Sequence, residues 1–136
     1  MLCRRDNRAK ETVNLADITT AVGTMLEDIQ ASMFAKAKAQ LDEHIVKITE
    51  WSQFVPTLNQ KNICLVPWCR VTPCEESIKA RSGEESQAAA EGDASKLSGA
   101  AKSLCIPLEQ EELAPGTKCF ACGQDAVCWA LFGRSY

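Results

Sequence analysis

The stretch HIVKITEWSQFVPTLNQKNICLVP, residues 44–67, decides the fold. Its opening, His44-Ile-Val-Lys-Ile48, reads as a strand, and Thr49 stands where a helix cap would. Trp51, Phe54, Val55 and Leu58 follow at i, i+3, i+4 and i+7, which is one face of a helix. Pro56 falls inside that pattern and should kink or shorten the helix. Ile63-Cys-Leu-Val-Pro67 is a short apolar run consistent with a buried strand.

Upstream, apolar residues recur at steps of three and four: Ile18, Val22, Met25, Leu26, Ile29, Met33, Ala37 and Leu41. Asn14 is a candidate N-cap with Asp17 three residues on. A helix of about 27 residues, about 40 Å long, is expected, its stripe and Phe34 serving core packing. Before it, Arg4, Arg5, Arg8 and Lys10 with Asp6 read as a solvated strand end or linker. Downstream, Lys102–Pro107 and Ala126–Phe132 are the last strand candidates. Between them and Arg81 lies SGEESQAAAEGDASKLSGA, residues 82–100, with no aromatic or β-branched residue, expected to be a flexible insertion. The order is β-α-β-α-β, an interruption, then β-β. A long and a short helix over one face of a small mixed sheet give a two-layer α+β fold.

Composition narrows the function classes. The chain has 136 residues, room for one domain or one domain with a tail. Fifteen basic against 18 acidic side chains give a formal charge of −3, which argues against broad electrostatic binding to nucleic acid. No apolar run approaches the roughly 20 residues of a membrane span. The start MLCRRDNRAKE lacks the apolar stretch of a signal peptide, so a reducing, cytoplasmic setting is expected.

Eight cysteines stand out. Cys69 and Cys74 form a C-x4-C after a strand, and Cys119 and Cys122 a C-x2-C followed by Gly123, the shape of a zinc knuckle. Two such pairs would make a closed site of four thiolates with no position left for water, hence a structural zinc rather than a catalytic one. A redox role for CFAC would want a helix after the pair, whereas Gly123, Gln124 and Asp125 lead into a strand. Disulfide pairing of the four remains a third possibility. Cys64, Cys105 and Cys128 lie in strand candidates as small buried hydrophobes, Cys128 being the credible substitute ligand. Cys3 sits near the chain start. The sole histidine, His44, reads as a capping or packing residue. Arg70 and Lys118 adjoin ligand positions and could offset thiolate charge. No phosphate-binding glycine loop, nucleophile elbow or H-E-x-x-H is present, and no catalytic residue is assigned.

Three segments carry a family resemblance: Leu131-Phe-Gly-Arg-Ser-Tyr136, Lys102-Ser-Leu-Cys-Ile-Pro107, and the V-P-W-C-x4-C ending at Cys74. They resemble the C-terminal domain of prolyl-tRNA synthetase of the archaeal/eukaryotic type. Arg4-Arg5-Asp6 resembles the end of the last strand of that enzyme's anticodon-binding domain, and Met25–Gln30 lies in a helix similar to the first of its C-terminal domain. The resemblance covers the chain except 82–100. It divides the chain into 1–10, the end of the anticodon-binding domain or a linker, and 11–136, the C-terminal zinc-binding domain.

The resemblance implies a two-layer βαβαββ sandwich and one structural zinc on Cys69, Cys74, Cys119 and Cys122. Animal forms of the family often carry C-x-C-G where this chain has C-x2-C-G, and the family helix is continuous where Pro56 stands here. The terminal carboxylate of Tyr136 matches one that the family turns towards the aminoacylation domain. The parent enzyme joins proline to its tRNA with ATP and would be a cytoplasmic homodimer. Its catalytic and anticodon-binding domains, and tRNA through them, are the implied partners; ATP enters only through the catalytic domain. The expected role is an inactive brace between those domains. The alternative is a freestanding module that docks in trans onto a synthetase or RNA.

Overall fold

The computed structural model describes residues 1–90 and 99–134, with only the backbone at 89 and 90. The chain divides into two compact units, Met1–Glu43 and His44–Tyr136. In the first, β1 (Leu2–Cys3) and β2 (Lys10–Glu11) pair antiparallel, and a 3-10 turn at Leu15–Asp17 leads into α1 (Ile18–His44). The guanidinium of Arg4 straddles the Asp6 carboxylate at 3.1 and 2.9 Å and also donates to the Ser32 hydroxyl at 3.1 Å. The helix takes the expected length, but the expected core role of its stripe is corrected. None of its residues is buried, and Leu26, Met33, Phe34 and Leu41 are each more than half exposed. The physical reason is local: two-residue strands offer no sheet for a 27-residue helix to lie on.

The second unit runs β3 (Ile45–Lys47), α2 (Trp51–Asn59), β4 (Ile63–Trp68), α3 (Thr72–Ala90), β5 (Lys102–Cys105), β6 (Cys128–Gly133). Its sheet order is β3-β4-β6-β5. Parallel β3 and β4 pair Val46 with Cys64, and antiparallel β4 and β6 pair Val66 with Ala130. Ser103 of β5 sits opposite Phe132, just before a bulge. The α+β class and the βαβαββ order hold, with α2 and α3 as the helices and α1 in the other unit.

Alternation along the strands places Cys64, Val66 and Trp68 on the sheet face shared with Cys128, Ala130 and Phe132. Phe54, Val55 and Leu58 of α2 and Ile78 of α3 cover that face, and all belong to one buried core. Each such side chain contributes roughly 1.5–3 kcal/mol on burial. Pro56 is accommodated because α2 is nine residues long and ends three residues after it. Glu50, not Thr49, occupies the N-cap position of α2.

The expectation of a flexible loop over 82–100 is corrected for 82–90, which continue α3; residues 91–98 lie outside the described residues. Small residues there mark close packing. Ser82 and Ser86 are buried, the Ser82 hydroxyl accepts the Ala101 N–H at 2.9 Å, and a Cβ on Gly83 would stand 3.4 Å from that of Ala100. On the opposite sheet face, Lys47 lies 4.3 Å over the Trp129 ring and pairs with Glu111 at 2.5 Å. Among the described residues no helix is long and apolar enough to cross a membrane.

Candidate metal centre

Both cysteine pairs are placed by the end of β4. Cys69 follows Trp68 directly, and the turn at Arg70 takes φ +59°. The Val71 carbonyl then accepts the N–H groups of Cys74 and Glu75 at 3.0 and 3.2 Å, which sets Cys74 in the first turn of α3. The second pair lies on a tight loop. Cys119 N–H donates to the Gln124 carbonyl at 2.7 Å, Gly123 N–H donates back to the Cys119 carbonyl at 3.1 Å, and Gly123 adopts φ +72°. That left-handed conformation is why glycine follows the pair. Phe120 N–H donates to the Pro67 carbonyl at 3.1 Å and Val127 N–H to that of Trp68 at 2.9 Å, fastening the knuckle to β4.

The four sulfurs of Cys69, Cys74, Cys119 and Cys122 all lie within 4.8 Å of one another. Cys69 Sγ is 3.7 Å from Cys122 Sγ, and Cys74 Sγ is 3.8 Å from Cys119 Sγ. A tetrahedron with metal–sulfur bonds of about 2.3 Å has edges of about 3.8 Å, so the donor set fits a four-coordinate ion of zinc size. A disulfide needs about 2.05 Å, and all eight cysteines are free thiols. The sulfurs therefore stand apart by the span of a shared cation.

Burial, with the neighbouring thiols, pushes Cys74 far above the ordinary thiol range, and burial also raises Cys69. At Cys119 burial acts in the same direction but is outweighed by the N–H groups of Ala121, Cys122 and Cys69, so its thiol is held below the ordinary value. Four thiols this close cannot all ionise without a cation between them.

The remaining candidates divide. Cys128 is buried outside the cluster, its thiol 3.9 Å from the Trp68 carbonyl, and burial raises its pKa. Cys64 is buried, and burial pushes it up to about 12. Cys105, expected to be buried, is exposed, because β5 is an edge strand with a bulge at that point. Cys3 is exposed. His44 Nδ1 lies 3.0 Å from the Asn62 side-chain oxygen, away from the sulfurs' partners. Lys118 is spent on Asp125 at 2.5 Å. Tyr136 lies outside the described residues.

One residue at the site went unread in the sequence. The Arg81 guanidinium lies 3.8 Å from the centre of the Trp51 ring and donates to the Ala121 carbonyl, within the knuckle, at 3.3 Å. The available signal was spacing: Arg81 is two helical turns beyond Cys74 on α3.

The family model described as prolyl-tRNA synthetase, C-terminal, matches residues 51–136, which take in both cysteine pairs. A protein of Schizosaccharomyces pombe named as a proline–tRNA ligase is 46% identical over 138 residues, covering 98% of this chain and 19% of its own length. The cytoplasmic proline–tRNA ligase of Arabidopsis thaliana is 38% identical over 98% of this chain and 23% of its own. The bifunctional glutamate/proline–tRNA ligase of Drosophila melanogaster is 41% identical over 98% of this chain and 8% of its own. The chain thus spans a quarter or less of the length of these relatives. It belongs to the family of the prolyl-tRNA synthetase C-terminal domain.

Proposed function

We propose that this chain is a zinc-stabilised structural domain that braces the catalytic and anticodon-binding domains of a prolyl-tRNA synthetase. The observation that carries the reading is the four-sulfur cluster at tetrahedral spacing, which leaves no ligand position for water or substrate. Cys69, Cys74, Cys119 and Cys122 would hold one Zn2+, whose contribution when bound is a cross-link. It ties the end of β4 and the start of α3 to the knuckle across the intervening chain. A covalent bridge between positions 69 and 122 would constrain the unfolded chain by about 4 kcal/mol, and a metal clip acts in the same sense.

In this reading residues 1–10 are the end of the anticodon-binding domain or a linker, 11–136 form the C-terminal domain, and the Tyr136 carboxylate docks towards the aminoacylation domain. The parent reaction is the ATP-dependent joining of proline to its tRNA in the cytoplasm by a homodimer, with tRNA and ATP held by other domains. The test is a pull-down with the catalytic and anticodon-binding domains. The metal-loaded chain should be retained and the chelator-stripped chain released, while the chain alone shows no proline-dependent ATP–pyrophosphate exchange. Equal retention with and without metal, or exchange by the chain alone, would overturn the reading.

A further inference from the structure

Metal centres of this kind depend on the groups that orient their ligands as much as on the ligands. Arg81 is placed to act so. Ala121, whose carbonyl it binds at 3.3 Å, stands between Cys119 and Cys122. The peptide unit that carries this carbonyl also carries the Cys122 N–H, and the unit is planar and rigid. That N–H is the backbone amide of the ligand residue Cys122 itself. A cation on the oxygen therefore fixes the tilt of the whole unit and polarises the N–H on its other side.

The guanidinium is itself held. It lies 3.8 Å from the Trp51 ring centre, the Trp51 indole N–H donates to the Glu85 carboxylate at 2.8 Å, and the indole stacks on Phe120 at 5.8 Å and 17°. Arg81 forms no ion pair among the described residues, and the Glu85 carboxylate beyond it accepts from the Trp51 indole; the site beside it would carry −2 with four thiolates and one Zn2+. Lys118, one of the two cations that adjoin ligand positions in sequence, is already paired with Asp125.

We propose that Arg81, held over the Trp51 ring, is a positioning residue of the metal centre: it orients the Ala121–Cys122 peptide and offsets the charge of the thiolates. The proposal rests on the zinc reading above. A merely structural Arg81 would lower the stability of metal-free and metal-loaded protein alike, whereas a positioning Arg81 controls the grip on the metal in folded protein.

The experiment measures zinc affinity of the whole chain by competition with a chromophoric chelator, alongside the charge-transfer spectrum of the Co2+-loaded form. Arg81→Met keeps the apolar stem and removes charge and hydrogen bond. It should weaken zinc binding about 10- to 100-fold and speed transfer to the chelator, with unchanged far-ultraviolet circular dichroism. Arg81→Lys restores the charge without the planar fork and should recover part of that loss. Trp51→Phe keeps a ring under the guanidinium but loses the Glu85 hydrogen bond. It provides the second variant if Arg81→Met does not fold, and should weaken binding severalfold. Zinc affinity within twofold of wild type in Arg81→Met, or in Trp51→Phe where Arg81→Met does not fold, would overturn the assignment of Arg81 alone. A wild-type chain that takes up no stoichiometric zinc would overturn the metal reading itself, and the proposal with it.

Discussion

Replacing Phe120 with alanine should cost about 3–5 kcal/mol of stability, the range for deleting a buried phenylalanine ring. Phe120 sits inside the knuckle, directly after Cys119, and is only 6% exposed. Its ring lies 4.9 Å from that of Phe54, 5.8 Å from Trp51 and 5.9 Å from Phe132. Three ring pairs at about 0.5–1.5 kcal/mol each account for a large part of the loss, and the cavity for the rest. A unit spanning residues 44–136 has a total stability of about 5–14 kcal/mol, so a substantial fraction goes with one ring. The melting temperature should fall by at least about 12 °C. The assay is urea unfolding at saturating zinc, followed by tryptophan fluorescence, to which the neighbouring Trp51 contributes. Leu108→Ala, at a fully exposed position, is the control and should stay within about 0.5 kcal/mol of wild type. A loss below about 1 kcal/mol for Phe120→Ala would refute the claim that the knuckle is anchored through the aromatic core.

Three further outcomes follow from individual sites. Gly123→Ala should cost about 1–2 kcal/mol in the same urea assay, from backbone strain alone, since φ is +72° and nothing lies within 4 Å of the added Cβ. The hydrogen bond and charge of Lys47 hold the Glu111 carboxyl below its ordinary 4.5. The pair's contribution is therefore present above the ordinary value and lost as pH falls through the lowered one. Titration of Glu111 by NMR should show the lowered midpoint, and Lys47→Met should return it towards 4.5. In zinc-loaded native protein, a maleimide should label exposed Cys3 and Cys105 rapidly and spare buried Cys64 and Cys128, with the four clustered thiols reacting only after chelation.

What the sequence made legible was the part written in strong apolar periods and in cysteine spacing. The β3-α2-β4 unit and the strand candidates at 102–107 and 126–132 are found where the patterns put them. The convergence of two short-range cysteine pairs is present in the structure as four close sulfurs. Helix α3 was missed because its buried side is made by Ile78, Ser82 and Ser86. Small polar residues fit a close approach of chain 100–101 without leaving an apolar stripe. The error over α1 runs the other way. A stripe reports what a helix can bury, and the described residues of its own unit contain no sheet broad enough to receive it. Arg81 illustrates a third gap, since a guanidinium over an indole depends on packing between α2 and α3 that no single segment encodes.

Metal content bears on the account most directly. The purified chain, made in zinc-supplemented medium, should contain one zinc per molecule by elemental analysis, and Co2+ in its place should give the intense sulfur-to-metal bands of a tetrahedral thiolate site. Serine at Cys69, Cys74, Cys119 or Cys122 should abolish stoichiometric binding, while serine at Cys128 should leave it intact. Protein that is folded yet free of stoichiometric metal, with these four thiols open to reagent, would contradict the account.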